Sequence, residues 1–256
     1  LDNSYKYRVW ENLNHKKILT NNEIFFASAK SLNDPLELTN VLLYDKLSYD
    51  QKFNFLKSFY PFEKFPSAPD EVNEYIKDFL EEDAKNDFKK FKKFSTGWTL
   101  QYRKHCGILS LSTKPDINEQ WLNYADSYRG FCVEFNYEAL HHLLKGHMAS
   151  AIDYVDKLPE SVPTLDTMMD LFKISGVKLK KWQAESETRY MKMNFASKSK
   201  SIPSSVYSKI IIGSEMKPKS NDEIMKIINK KFKNVGLYVA IKSSDGKNNP
   251  ILKRLN

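Results

Sequence analysis

Runs with the two-residue period of β-strands fall within residues 5–28 and 107–243, while the stretch between them, 36–105, repeats its apolar residues at helical spacing. This segregation constrains the fold more than any other feature. A doubly wound parallel sheet needs a crossover helix between successive strands. Here the strand candidates outnumber the helices that could serve, and they cluster away from the long helical stretch. The pattern predicts an α+β chain, a single domain over 1–256 with a helical insertion at about 36–105.

The strand candidates are YKYRVW (5–10), EIFFAS (23–28), GILSLS (107–112), GFCVEF (130–135), MASAIDYV (148–155), 184–193, VYSKIIIG (206–213) and GLYVAIKS (236–243). Helices are predicted over 117–126, 137–145, 164–182 and 219–232, with a break near Arg129-Gly130 and a turn at Leu32-Asn33-Asp34-Pro35. Within the insertion, Phe88, Phe91 and Phe94 recur at helical spacing among lysines. They read as the buried stripe of an amphipathic helix more readily than as a nucleic-acid contact.

With 41% hydrophobic and 28% charged residues over 256 positions, the chain can bury a full core. No apolar run approaches the roughly 20 residues that span a bilayer, and LDNSYKYRVW lacks the plan of a secretion leader, so a cytoplasmic location without a membrane partner is expected. Cys106 and Cys132 have no CxxC spacing and sit in apolar runs, as small buried hydrophobes do. Residues 165–256 hold 19 Lys and Arg against 8 Asp and Glu, which puts the basic field in the C-terminal part. That field favours an anionic ligand, either nucleic acid or a dinucleotide pyrophosphate, or is a lysine-rich surface in water.

The chain has no GxGxxG after a strand, no GxxxxGK[ST], no HExxH and no GxSxG, which removes the common nucleotide folds, zincins and serine hydrolases. His141, His142 and His147 match no metal-site spacing. The most informative segment is KLKKWQAESETRY (178–190), where a helical pattern gives way to a strand pattern carrying Glu185, Glu187 and Arg189. At period two all three point to one face. Such a row is either a solvated strand face or a pair of carboxylates sharing a cleft. A shared pair suits chemistry through a sugar oxocarbenium ion, one acid stabilising positive charge and the other handling the nucleophile's proton.

Five blocks together resemble a bacterial family catalogued as a domain of unknown function: Tyr5-Lys6-Tyr7-Arg8, FFASAKSLNDPLE (25–37), GILSLS (107–112), WLNYADSYRGFCVEF (121–135), and Lys181-Trp182 leading to Glu185, Glu187 and Arg189. That family in turn looks like a divergent branch of the ADP-ribosyltransferase superfamily. The resemblance implies a split mixed or antiparallel β core and NAD as substrate. In it Arg8 would grip the NAD phosphate and ribose, Ser110 or Ser112 would shape the nicotinamide pocket, and Tyr124 or Trp121 would stack on the nicotinamide. Glu187 would be the catalytic glutamate and Glu185 would prepare the acceptor, with Glu187→Gln expected to fold normally. The central strand ends Ser-Leu-Ser-Thr where the superfamily has Ser-Thr-Ser. The implied activity is ADP-ribosyl transfer to a nucleic-acid or protein acceptor, or NAD hydrolysis, in a toxin or anti-phage effector with an antitoxin or defence-system partner. A non-catalytic module binding nucleic acid or a partner through the same fold is the alternative.

Overall fold

The structure is a computed structural model that describes residues 3–36, 38, 43–59, 69–163 and 167–255. Glu37, in the second block, and the start of the 164–182 helix lie outside the described residues. The chain opens with β1 (Asn3–Arg8), α1 (Leu13–Thr20) and β2 (Glu23–Ser28), followed by α2 (Tyr49–Ser58), α3 (Pro69–Ala84) and α4 (Lys89–His105). Then come β3 (Gly107–Ser112), α5 (Asn118–Asn123), β4 (Phe131–Asn136), α6 (Tyr137–Leu143), β5 (Met148–Ala151), β6 (Asp153–Val155), α7 (Thr167–Ser175) and β7 (Val177–Leu179). The last part holds β8 (Glu187–Lys192), β9 (Lys198–Ser201), β10 (Tyr207–Gly213), α8 (Pro218–Lys231), β11 (Gly236–Ile241) and β12 (Ile251–Arg254).

Ten strands form one mixed sheet in the order β12-β11-β10-β4-β1-β3-β2-β9, with β8 on β3 and β5 on β8; β6 and β7 make a separate parallel pair. Within the large sheet β10 and β11 run parallel and the other pairings are antiparallel. The expected α+β class with a mixed sheet is what the chain adopts. Its central strand β4 is buried along both faces. Phe131, Val133 and Phe135 enter a cluster with Ile224 and Ile228 of α8 and Ile18 and Leu19 of α1, while Cys132 enters a second cluster with Tyr5, Tyr7 and Trp121. Both cysteines are buried and free.

The sheet opens at β3. Along one edge all six β3 residues pair with β8. On the other edge, β1 meets only Ser112, β2 meets only Gly107 and Ile108, and residues 109–111 lie between them. The twist of each half carries β1 and β2 apart above this gap. The result is a split that side chains of both halves can line.

Between β2 and β3 the regular elements among the described residues are helices, with their own apolar cluster of Tyr44, Leu47, Phe55, Val72, Ile76, Leu80 and Phe91. The phenylalanine stripe differs from expectation. Phe91 is fully buried, but Phe94 is half exposed, and Phe88 precedes the helix in a left-handed conformation. Asp83, fully buried at the end of α3, caps α4 in place of a local side chain, accepting the Lys90 N–H at 3.0 Å and the Phe91 N–H at 2.7 Å. Asp83→Ala strands both donors and is expected to cost about 2 kcal/mol in urea unfolding, with Asp83→Asn recovering part of it.

Four local assignments are corrected. The helix predicted to reach 126 ends at Asn123, and Asp126, Ser127 and Tyr128 follow in left-handed geometry. Tyr128 is held there by stacking on Trp121 at 5.4 Å and by its hydroxyl on Asn118 at 2.8 Å, contacts that outweigh the strain of a non-glycine residue in that region. The helix predicted through 182 stops at Ser175, because Val177–Leu179 pairs with β6. The single strand predicted at 148–155 is two strands in different sheets. The strand predicted from 184 begins at Glu187, after a 3-10 helix over Lys180–Glu185 and a left-handed Ser186.

Candidate active site

A cleft of about 710 Å3 occupies the split. That is within the roughly 300–1,000 Å3 of small-molecule sites. Six of the residues singled out from the sequence line it: Arg8, Ser110, Ser112, Tyr124, Glu185 and Glu187. Lys6, Asn33 and Lys178 join them, together with Asn14, His15 and Lys17 from α1.

On β1 the alternation of YKYR divides the strand. Tyr5 and Tyr7 go into the apolar cluster, which leaves Lys6 and Arg8 on the opposite face, toward the cleft. Lys6 donates from Nζ to the carbonyl of Ser110, in the stretch of β3 that neither β1 nor β2 pairs with. No described residue pairs with the Arg8 guanidinium, and burial alone lowers its pKa to about 10, so it stays charged at neutral pH. Its backbone is fixed by Gly130, where an added Cβ would lie 2.2 Å from the Arg8 carbonyl oxygen. Behind Arg8, His15 accepts the Val9 N–H at Nδ1 (3.3 Å), and burial together with repulsion from Arg8 and Lys6 lowers its pKa to about 4. His15 is therefore neutral near pH 7 and Arg8 holds the charge here, while burial and the neighbouring Arg8 lower the pKa of Lys6 well below the ordinary lysine value.

The β3–β8 register places Ser110 opposite Arg189 and Ser112 opposite Glu187, so all four share one face. The two serines are not equivalent. Ser112 gives its hydroxyl to the Lys114 carbonyl at 3.2 Å, whereas the Ser110 hydroxyl lies beside the Glu187 carboxylate and helps to lower its pKa. Arg189 is fully buried and clamps Glu187, with Nε on Oε1 at 2.6 Å and Nη2 on Oε2 at 3.2 Å, while its Nη1 donates to the Ser175 carbonyl at 3.0 Å. The solvated row of charges that the sequence allowed is thus a buried ionic cluster.

Glu185 reaches this cluster by a different route from the one expected. It ends the 3-10 helix rather than preceding Glu187 along a strand, and the left-handed Ser186 folds it back over the cleft. Lys178 donates to Glu185 and, at 3.0 Å, to Glu187 Oε2; Tyr124 donates its hydroxyl to Glu185, and Asn33 donates to the Tyr124 hydroxyl at 3.2 Å. The carboxylates diverge in acidity. Burial raises Glu185 against the opposing pull of Lys178. Burial also acts to raise Glu187, but Arg189 and Lys178 outweigh it and hold Glu187 down to about 2. Two neighbouring acids with opposed shifts are the arrangement that assigns a fixed charge to one and a proton-accepting role to the other.

Trp121 does not enter the cleft; it is fully buried against Tyr7 at 5.3 Å, with its indole N–H on the Pro115 carbonyl at 2.9 Å. Tyr124 lines the cleft with its hydroxyl bound to Glu185. Sequence reasoning passed over Lys178, which sits in a lysine-rich run read as helix, and α1, whose Asn12 N-cap before LNHKKILT was the available signal. Among the described residues no group of three or more His, Cys, Asp and Glu is placed to hold a metal ion, and no helix is long and apolar enough to cross a membrane.

No protein-family model, curated protein or solved structure matches this chain. The cleft is therefore read from its own chemistry.

Proposed function

We propose that the cleft binds NAD, and that the chain breaks its nicotinamide–ribose bond and passes ADP-ribose to a macromolecular acceptor or to water. The split mixed core is, in this reading, an ADP-ribosyltransferase-like fold. One observation carries it: a partly buried arginine with no described partner and a pair of carboxylates of opposed acidity line the same cleft. A dinucleotide offers a complement to each, with an anionic pyrophosphate for Arg8 and a ribose that becomes cationic as its glycosidic bond breaks for Glu187. NAD supplies the electrophilic ribose carbon. Glu187, kept ionised by Arg189 and Lys178, stabilises the charge that develops there and accepts from a ribose hydroxyl. The Ser110 hydroxyl steadies that carboxylate. Glu185, the more basic of the two, takes the proton of the incoming nucleophile.

The test is nicotinamide release from NAD by the purified chain, alone and with nucleic-acid or lysate acceptors. Release by the parent supports the reading. Absence of release under every condition, with no rise in melting temperature on adding NAD, moves the weight to a non-catalytic binding module. Arg8→Gln removes a charge-assisted contact to phosphate, worth about 1.5–3 kcal/mol. It is expected to raise the KM for NAD about 10- to 100-fold and to change kcat much less. Equal losses in kcat and in kcat/KM would place Arg8 in the chemical step instead.

A further inference from the structure

Lys178 is the cation that joins the two carboxylates. It projects from β7, a three-residue strand held by parallel pairing with β6, and its side chain is 8% exposed. Arg189 grips both oxygens of Glu187, and Lys178 extends the compensation to Glu185. Among the described residues it also faces Lys6 from β1, the Tyr124 hydroxyl, the Tyr154 hydroxyl of β6, which accepts the Glu187 N–H at 2.8 Å, and the Trp182 ring at 5.2 Å. Burial raises the pKa of both phenols, that of Tyr154 to about 12, so neither ionises near neutral pH. Two carboxylates this close and this buried share a proton unless a cation lies between them.

We propose that Lys178 is a positioning residue that keeps Glu185 and Glu187 ionised together, so that Glu185 is free to accept a proton when the nucleophile attacks. This rests on the reading of the cleft as a site of ADP-ribosyl transfer. In that step the nucleophile's lone pair bonds the ribose carbon, the glycosidic electrons leave with nicotinamide, and the nucleophile's proton goes to Glu185. Without Lys178, Glu185 keeps its proton to higher pH and the transfer needs a more alkaline solution, although Arg189 still keeps Glu187 charged.

The experiment compares the parent with Lys178→Met, Lys178→Gln and Lys178→Arg in two readouts. The first is the pH profile of nicotinamide release from NAD with water as nucleophile. Both neutral variants are expected to move its acid limb up by about one pH unit or more, with the loss recovered at alkaline pH, while the arginine variant leaves the limb in place. A uniform loss at every pH in both neutral variants overturns the proposal, since a merely structural lysine would act that way. The second readout needs no turnover: a 13C carboxyl NMR titration of the glutamates in the absence of NAD, with the Glu185 signal assigned by Glu185→Gln. An upward shift of the Glu185 midpoint in the neutral variants supports the role of Lys178, and an unchanged midpoint overturns it. A parent that releases no nicotinamide defeats the transferase reading by itself, and the titration still decides on Lys178. If Lys178→Met does not fold, Lys178→Gln carries both measurements.

Discussion

Glu187→Gln is expected to slow nicotinamide release about 100- to 1,000-fold, the range seen when one preorganised group facing a developing charge is removed. The substitution keeps an oxygen to accept from Arg189 and nearly the same shape, so the loss is one of charge where the ribose becomes cationic. The sequence alone leads to the expectation of intact folding, whereas the burial of this carboxylate leads to an expected loss of stability. The carboxylate sits between Arg189 and Lys178 with its side chain 4% exposed, and its neutralisation leaves two buried cations with less compensation. The melting temperature should fall along with the rate, so rates are compared well below the variant's transition, with circular dichroism confirming a folded chain. Full activity in folded Glu187→Gln would remove this residue from the chemistry and return the cluster to a structural role.

Arg189→Met is the substitution expected to cost most stability. It leaves Glu187 buried with Lys178 as its remaining counter-ion, and breaking a buried pair in this way costs about 3–5 kcal/mol. The pH dependence has a definite sign. Because the folded pKa of Glu187 is depressed, its contribution is present above the ordinary carboxylate value near 4.5 and is lost as pH falls toward about 2. Removing Arg189 raises the folded pKa toward the unfolded value, so the variant, less stable above about pH 5, loses less further stability than the parent as pH falls through that window. Urea midpoints measured across the acid range for parent and variant read both effects. The double variant Glu187→Gln with Arg189→Met should lose less than the sum of the single losses, because each single change strands the other's partner. Strict additivity, or a loss below about 1 kcal/mol for Arg189→Met, would show that the clamp does not hold the site.

Position-by-position reading of the sequence found the elements whose burial follows their local apolar pattern. EIFFAS and GILSLS are strands over the expected residues, and the helix placed at 219–232 differs by one residue at each end. In these segments local periodicity and tertiary burial agree, so one predicts the other. It failed where a long-range contact overrode a local preference, as at Val177–Leu179, drawn into pairing with β6 after α7 ends, and at Tyr128, seated on Trp121. It also missed β9 and β12, whose residues are largely exposed and carry little apolar signal.

The candidate site divides along the same line. The residue types were legible: an arginine directly after a tyrosine in an early strand, serines alternating along a central strand, and acids at positions 185 and 187. Chain order alone brought them to notice, because strand alternation assigns faces without reference to the rest of the molecule. Which serine works on Glu187, that Glu185 arrives through a left-handed turn, that Lys178 joins the acids and that Arg189 is buried beneath them were decided by the tertiary structure. Hydrogen bonds and ion pairs between distant segments depend on distances of about 3 Å. Those distances exist only after the two halves of the sheet have split around β3 and folding has brought the charges together in a largely buried cluster.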